Sequence, residues 1–365
     1  MKKKYSVLFI ICIIMLLLNV LARLCSPFAD FYTEKIFPLF ANPISFITGL
    51  LPFSVGEILI LIGILLILVG IPCTVLLLIF GKNFRKKTIS TACLIYLFVF
   101  TYVLTTETMN CFIMYQCTPF SEKYLKHSEH TENQITELYS LLIEKANDLA
   151  EKVSRDDSDC FEFTEDVNPE AKKAMKTAGE TFPQLRGYYP KAKPILFSYF
   201  MSQSHLTGIY FPFSLESNYN DDMCRTNLPE TVCHEFSHLK GFIQEDEANF
   251  ISFYATTQCS NDLNFQYSGY LSALEYVHNE IYNQNISGAF HLTDNISDKV
   301  RRDWFRFMPD NYWVENAEKE VIPTETVSTV STTAIDTNIK ANGRTDGIKS
   351  YSLVVELLLD FYYPA

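Results

Sequence analysis

Apolar residues are concentrated in the first hundred positions of the chain, where three long uncharged runs occur. The runs cover residues 5–22, 58–80 and 88–106. About 20 apolar residues are enough to cross a bilayer as a helix, so each run predicts a transmembrane helix. The first run, which follows three lysines, has an alternative interpretation as a signal peptide. Its length and the lack of a small-residue cleavage site favour a retained anchor.

Basic residues predict how these helices are oriented. They flank the first run and fill the short connection between the second and third: Lys2, Lys3, Lys4, Lys82, Arg85, Lys86 and Lys87. Positively charged loops favour the cytoplasmic side. The pattern predicts a multi-pass protein of the cell membrane with a cytoplasmic N-terminus, a membrane anchor at 1–106 and an extracytoplasmic domain at 107–365. The connection at 23–57, rich in Phe and Pro, is then an external loop.

Composition narrows the possible functions. The 365 residues are 48% hydrophobic and 20% charged, which excludes extensive disorder. The net charge of -12 without a basic stripe argues against nucleic acid as a partner. Six cysteines follow residue 106, namely Cys111, Cys117, Cys160, Cys224, Cys233 and Cys259. They permit disulfides in an oxidising compartment, although burial as small apolar side chains is the alternative, favoured for Cys233.

The periodicity of the second half predicts an α+β domain that is mainly helical and carries a small β-sheet. Helices are predicted at 134–153, 228–240, 245–259 and 269–283, and strands at 192–201 and 207–215. An acidic loop is predicted at 156–170. For 321–336 the pattern does not distinguish a strand from a linker. At 353–363 it predicts a packed helix, because this apolar segment is too short for a fourth membrane span.

The helix at 228–240 contains the sequence His-Glu-Phe-Ser-His at 234–238. Histidines four positions apart lie on one helix face, about 40° apart, as two imidazole ligands of one zinc ion must. Glu235 lies beside that face, close enough to act on water. Asn227 and Glu230 predict a capping box at the start of the helix, and Gly241 predicts its end. The alternative is a pair of surface histidines on an ordinary amphipathic helix.

A catalytic zinc ion usually has three protein ligands and one open position. Three acids follow the histidines, and a helical projection places Glu245 on a face of small side chains with Asn249 and Ser252. Glu247 projects to the far side, and Asp246 to the flank. Glu245 is therefore the predicted third ligand, with Glu247 as the fallback. Solvated charges at a helix N-terminus are the alternative for Asp246 and Glu247.

The order His-Glu-x-x-His followed by Glu-x-x-Ala-Asn resembles the gluzincin branch of the zinc metallopeptidases. The resemblance implies a zincin-like fold, Zn²⁺ as the cofactor, Glu245 as the third ligand and Asn249 as the partner that orients a ligating histidine. Only six residues separate His238 from Glu245, fewer than in many gluzincins. Gln244 stands where a metzincin would carry its third histidine, so that branch is disfavoured.

The chain also resembles a bacterial membrane family known as domain of unknown function 3810. The segments that carry this resemblance are PFSVGE (52–57), GIYFPFSLESNYN (208–220), HEFSHLKGFIQEDEANF (234–250), YSGYLSALEY (267–276) and KANGRTDGIKSYSLVVELLL (340–359). The resemblance implies a membrane-anchored protein that is similar to metallopeptidases, and it supplies no substrate.

The function expected from these observations is zinc-dependent peptide hydrolysis with Glu235 as the general base. Candidate donors to the oxyanion are Tyr270, Tyr351 and His291. The strand at 208–213 precedes the metal helix and is a candidate for pairing with an extended peptide or protein substrate. A membrane sensor or scaffold that holds zinc without turnover is the competing function. The spans carry no internal acids or bases, which argues against a transporter.

Several other polar residues receive less specific predictions. Glu216, Asn218 and Asn220 lie near the end of that strand and are candidates to face a cleft. The remaining histidines, His127, His130, His205 and His278, are predicted not to bind metal.

Overall fold

The computed structural model describes residues 2–81, 85–304, 312–342 and 351–364. The chain is mainly helical with one small sheet, and it divides into two compact units. Unit 1 comprises Met1–Cys117 and Phe211–Glu216, and unit 2 comprises Thr118–Tyr210 and Ser217–Ala365.

Unit 1 has six α-helices within the described residues, some of them joined by π-helical turns. The helices are α1 (Lys2–Leu24), α2 (Ser26–Phe31), α3 (Phe37–Gly49), α4 (Val55–Leu65), α5 (Ile71–Phe80) and α6 (Arg85–Glu107). Three helical stretches are long and apolar enough to cross a membrane: Lys3–Leu24, Val55–Phe80 and Arg85–Gln116. They contain the three predicted runs, so the prediction of three apolar helices is confirmed.

Most of the connection at 23–57 is helical. α2 and α3 occupy this stretch and are joined by a π-helical turn at Tyr32–Ile36. Both helices begin with a proline in their first turn, Pro27 and Pro38. Proline is favourable there, because the N–H groups of the first helical turn have no intrahelical acceptor and the absent N–H of proline therefore costs no hydrogen bond.

The segment Phe211–Glu216 is an integral part of unit 1. The Glu216 carboxylate is buried and accepts hydrogen bonds from the backbone N–H groups of Gly56 at 2.8 Å and Val55 at 3.2 Å. It therefore satisfies unpaired donors at the start of α4. Gly56 lies directly against the Phe211 side chain, because a Cβ atom on this glycine would lie 2.7 Å from Cβ of Phe211. Asn110 also donates to the Pro212 carbonyl at 2.6 Å.

Unit 2 contains eleven α-helices and most of a small sheet within the described residues. The helices are α7 (Phe120–Tyr124), α8 (Glu132–Ala150), α9 (Val167–Thr181), α10 (Ser198–Gln203), α11 (Leu228–His238), α12 (Glu245–Gln258), α13 (Leu263–Asn283), α14 (Asp298–Asp303), α15 (Tyr312–Asn316), α16 (Thr324–Ala341) and α17 (Tyr351–Tyr362). The strands are β1 (Lys193–Pro194), β2 (Gly208–Phe211) and β3 (Glu216–Tyr219). Their order is β1-β3-β2, and β1 runs parallel to β3.

The centre of unit 2 is formed by the neighbouring helices α11 and α12. Helices α9, α13 and α17 pack around this pair. The Phe120 ring is buried and packs against Phe182, Phe242 and Phe250, with ring centroids 4.9 to 5.7 Å apart. Burial of a large side chain contributes about 1.5–3 kcal/mol. The connection between α11 and α12, which includes Phe242, is therefore anchored to this aromatic cluster.

The predicted helices of unit 2 are confirmed, but two other predictions are wrong. The predicted strand at 192–201 is reduced to the two residues of β1, and its second half forms α10. The predicted loop at 156–170 ends early, because α9 begins at Val167. The stretch 321–336, left open between strand and linker, lies mostly in α16. All ten cysteines lie in the described part of the chain, none forms a disulfide, and Cys233 is buried as predicted.

Candidate metal centre

Helix α11 presents two histidines on one face. One helical turn separates His234 from His238, and their ring centroids lie 4.7 Å apart with the ring planes nearly perpendicular. The opposite face of this segment, formed by Val232, Phe236 and Leu239, is buried. The apolar back of the helix thus fixes the direction of the two imidazoles.

The start of α11 differs from the prediction. Asn227 occupies the N-cap position without a side-chain capping bond. The Glu230 carboxylate instead accepts a hydrogen bond from Ser252 Oγ on α12 at 2.6 Å. The predicted capping box is therefore wrong, because burial between two helices gives Glu230 a partner across the interface.

A sharp turn brings a carboxylate to the two histidines. Gly241 has a φ of 89°, a left-handed conformation that glycine adopts without strain. Helix α12 then begins with Glu245. Its Oε2 atom lies 3.2 Å from Nε2 of His234, and its Oε1 atom lies 3.9 Å from Nε2 of His238. The three candidate ligand atoms all lie within 4.8 Å of one another, the one such group of His, Cys, Asp or Glu found among the described residues.

The spacing and chemistry of these donors fit a zinc ion. Tetrahedral zinc with bonds of about 2.1 Å places its ligand atoms about 3.4 Å apart. The two His–Glu separations are 3.2 and 3.9 Å, so small side-chain shifts would be enough to hold an ion. Two imidazoles and one carboxylate are also a ligand set that zinc accepts. The Glu245 side chain is 46% exposed, so solvent reaches the site from the side of this carboxylate.

The electrostatics of the site favour a positive charge between the three side chains. Burial lowers the pKa of His234, but the hydrogen bond and charge of Glu245 outweigh it and raise the pKa to about 9. Partial desolvation raises the pKa of Glu245, yet the hydrogen bond and charge of His234 and the charge of His238 bring it down to about 2. Burial lowers the pKa of His238 to about 4. An anionic Glu245 and a neutral His238 are in the states that bind metal, whereas His234 would have to release its proton to a binding ion.

A backbone carbonyl orients His238. The Nδ1 atom of this ring lies 2.7 Å from the carbonyl oxygen of Phe242. An Nδ1–H donor to that oxygen leaves Nε2 unprotonated on the side of Glu245, where a metal would bind. Asn249, the residue predicted to orient a histidine, is half-buried and makes no hydrogen bond to either imidazole among the described contacts. The Phe242 contact has no signature in the sequence, since any residue has a carbonyl group.

Glu235 is held against the backbone of β2. Its side chain is 4% exposed. A Cβ atom on Gly208 would lie 2.8 Å from Cδ of Glu235, so the glycine leaves the space that the carboxylate fills. Within the described residues, Oε2 of Glu235 is buried without a hydrogen-bond partner. Burial raises the pKa of Glu235 to about 8, against the opposing charge of His234. This carboxylate is thus able both to accept and to release a proton near neutral pH.

A tyrosine that was not predicted also lies at the site. The Tyr210 ring centroid is 6.0 Å from that of His238. Gly208 and Tyr210 are two positions apart on β2, and alternate residues of a strand face the same side. The strand was predicted from the sequence, and its alternation of side chains would have placed Tyr210 on the same side as Gly208.

The other predicted residues lie elsewhere. Tyr270 is buried on α13 and packs against Phe253, with centroids 5.9 Å apart. His291 is exposed on a 3₁₀ helix at Ser287–Asn295. In the described contacts, neither touches the three candidate ligands. Tyr351 begins α17, but its side chain lies outside the described part of the chain.

The fallback ligand Glu247 points into the core. Its Oε1 atom accepts a hydrogen bond from the Phe120 backbone N–H at 2.7 Å. Asp246 and Glu247 are both buried, so the interpretation of these acids as solvated charges is wrong. The packing of α12 against neighbouring elements, which a single-helix projection omits, accounts for the difference.

The strand-end residues are also buried in the fold. Asn220 donates to Ser202 Oγ and to the Leu206 carbonyl, and Asn218 is fully buried. Glu216 binds the start of α4 within unit 1. Burial of all three side chains, with these bonds for Asn220 and Glu216, places them inside the fold and not at a cleft.

The four remaining histidines make other contacts. His127 and His130 bond to Asp360 on α17, at 3.2 and 2.8 Å. His278 bonds to Tyr139 Oη at 2.8 Å, and His205 lies near Trp313.

Comparison with known sequences assigns the chain to a family. Residues 32–359 match the family described as Protein of unknown function (DUF3810), and the chain therefore belongs to that family. No curated protein and no solved structure matches the chain significantly.

Proposed function

We propose that this member of the DUF3810 family is a membrane-anchored zinc metallopeptidase of the gluzincin type. The observation that carries the proposal is the convergence of His234, His238 and Glu245 within 4.8 Å, beside a buried glutamate whose second oxygen has no described partner. A structural zinc site has no use for such a carboxylate. A hydrolytic site requires one, to accept a proton from water.

The proposed membrane arrangement follows the charge pattern. The three apolar helical stretches form the anchor, and the lysines near the N-terminus and those at 86 and 87 lie on the cytoplasmic side. The N-terminus is then cytoplasmic, and the residues that follow the third stretch are extracytoplasmic.

The chain's own residues supply most of the proposed mechanism. A zinc ion held by His234, His238 and Glu245 would supply Lewis acidity, which polarises a carbonyl group and lowers the pKa of water toward neutrality. Glu235 accepts the proton of the attacking water and later transfers it to the leaving amine. Its buried position against Gly208 fixes the direction from which it does so. The Phe242 carbonyl keeps His238 in the required tautomer.

The proposed substrate is a peptide in extended conformation. β2 is the end strand in the order β1-β3-β2, and an end strand can pair with an added chain. β2 also carries Gly208 and Tyr210, which lie against Glu235 and near His238. A peptide paired with β2 would therefore pass Glu235 and the metal ligands.

The proposal is tested by metal removal and return in the full-length protein. Peptide cleavage by the purified chain in detergent is measured against a fluorogenic peptide library before and after treatment with a zinc chelator. We expect cleavage to stop when the metal is removed and to resume when one equivalent of Zn²⁺ is restored. Cleavage that persists in the metal-free protein would contradict the proposal.

Gly208→Ala is expected to lower kcat by at least about tenfold, because the new Cβ atom displaces the Glu235 carboxylate. Zinc content should stay at the parent value. The measurement is steady-state cleavage of the best peptide found in the library. Gly288→Ala is the matched control, since a Cβ atom there meets nothing within 4 Å. Equal kcat in the two variants would rule out the proposed placement of Glu235.

Tyr210→Phe is expected to lower kcat about tenfold to a hundredfold with little change in KM. A phenol beside the metal ligands can donate to the oxygen that becomes negative in the transition state, and loss of such a donor acts mainly on kcat. Tyr254→Phe is the control, because the Tyr254 hydroxyl bonds to Thr181 at 3.0 Å on the surface of unit 2. A parent-like kcat in Tyr210→Phe would exclude this role.

A further inference from the structure

Unit 2 contains a cavity of about 310 Å³ that includes none of the candidate metal ligands. Its walls come from α10, the turn after it, and the stretch from α15 to the start of α16. The lining residues include Tyr199, His205, Trp313, Asn316, Glu320 and Thr324. This volume is at the lower end of the range for small-molecule sites.

Three of the lining side chains are aromatic. The His205 and Trp313 ring centroids lie 6.3 Å apart with the planes inclined at 56°, and Tyr199 contributes a third ring. Aromatic faces attract cations, Trp most strongly, when the cation lies within about 6 Å of the ring centroid. A cavity with aromatic walls therefore favours a ligand that combines an apolar stem with a positive charge.

An exposed glutamate lies at the edge of the cavity. Oε1 of Glu320 accepts hydrogen bonds from the backbone N–H of Thr324 at 2.9 Å and from its hydroxyl group. These bonds lower the pKa of Glu320, which is therefore ionised at neutral pH. The neighbouring Lys319 ammonium bonds to Asn316 Oδ1 at 2.8 Å, and no ion pair of Glu320 occurs among the described residues. The Glu320 charge is thus not neutralised by a described side chain.

A buried hydroxyl group completes the donor and acceptor set. The Tyr199 Oη atom is buried and has no hydrogen-bond partner among the described residues. Buried hydroxyl groups nearly always have a partner in native structures. An N–H donor of a ligand in the cavity would satisfy this oxygen. A quaternary ammonium ion has no N–H group, whereas a primary ammonium ion has three.

We propose that this cavity binds a primary alkylammonium ion. The aromatic rings of Tyr199, His205 and Trp313 contact the alkyl stem and the charge. The Glu320 carboxylate neutralises that charge, and the Tyr199 oxygen accepts a hydrogen bond from one of the three N–H groups. The proposal does not depend on the metal centre or on peptidase activity.

The test is a titration of the full-length protein in a non-ionic detergent, followed by tryptophan fluorescence. The probes are n-butylammonium chloride, its neutral analogue 1-butanol, and tetramethylammonium chloride. We expect n-butylammonium to bind with a Kd on the order of millimolar, and the other two at least about fivefold more weakly. Equal binding of 1-butanol, or no response to n-butylammonium at concentrations up to about 50 mM, would overturn the proposal.

Two independent pairs of variants locate the binding site, so the test does not depend on the folding of a single variant. The chain has two tryptophans, so Trp304→Phe should keep the fluorescence response and Trp313→Phe should lose it. Glu320→Gln should raise the Kd about fivefold, whereas Glu325→Gln, an exposed glutamate in the first turn of α16, should not change it. A response that survives in Trp313→Phe, or equal Kd values in the two glutamine variants, would contradict the proposal.

Discussion

Replacing Glu235 with glutamine is expected to lower peptide cleavage about 10³-fold while the protein keeps its zinc. Glutamine has nearly the same shape and still fits against Gly208, but it cannot accept a proton from water. Loss of a positioned general base reduces rates about 10² to 10⁴-fold. The measurement pairs kcat on a defined peptide with zinc content by elemental analysis, in the parent and in Glu235→Gln.

Glu230→Gln is the matched control for this variant. Glu230 is another buried glutamate of α11, one turn before His234, and the glutamine oxygen can still accept the Ser252 hydrogen bond. We expect this control to retain most of the parent activity. Parent-like turnover in Glu235→Gln would show that another group is the base. A parent that holds zinc but cleaves no peptide in the library would favour the sensor or scaffold function.

Glu245→Gln is expected to weaken zinc binding by more than about a hundredfold. Groups that merely orient a ligand contribute about 10- to 100-fold to affinity, and loss of a charged ligand should exceed that. The measurement is competition against a chelator of known affinity, with elemental analysis of the dialysed protein. Activity should fall with the metal content and return at high zinc concentration.

Glu247→Gln is the matched control for the ligand test. Glu247 lies two positions away on α12, and its amide replacement can still accept the bond from the Phe120 N–H group. We expect zinc content and activity near the parent values. Loss of zinc from Glu247→Gln with retention in Glu245→Gln would show that the third ligand had been assigned to the wrong side of α12.

The local sequence was sufficient to predict the parts of the candidate site that depend on one helix or one turn. The spacing of His234 and His238 requires only helical geometry, and the projection of α12 distinguished the side of Glu245 from that of Glu247. Partners that come from other elements were not predictable in this way. Gly208 and Tyr210 reach the site through tertiary packing. The Phe242 carbonyl comes from the turn directly after α11, but a backbone oxygen has no signature in the sequence. The bond between Glu230 and Ser252 replaced a local cap for the same reason.

Intrinsic propensity misled the prediction at two places. α16 is rich in Thr and Val, which favour strands. Within the helix, however, the hydroxyls of Thr333 and Thr337 bond to the carbonyls four residues earlier, at 2.7 and 2.6 Å. The aromatic residues of 192–201 likewise suggested a strand, yet Ser198 donates to the Ile195 carbonyl at 2.7 Å as the chain turns into α10. In both segments the structure departs from side-chain preference, and the hydroxyl groups have local carbonyl partners within it.

The place of Phe211–Glu216 in unit 1 has a practical consequence for protein production. A soluble fragment that starts at Thr118 would contain this segment but lack α4, whose first N–H groups bind the Glu216 carboxylate. The fragment would expose the Phe211 ring that now packs on Gly56, and it would be prone to aggregate for that reason. Deleting the hydrophobic N-terminal third is therefore a poor route to a well-behaved sample. Extraction of the intact polypeptide in detergent micelles keeps α4 together with the segment Phe211–Glu216.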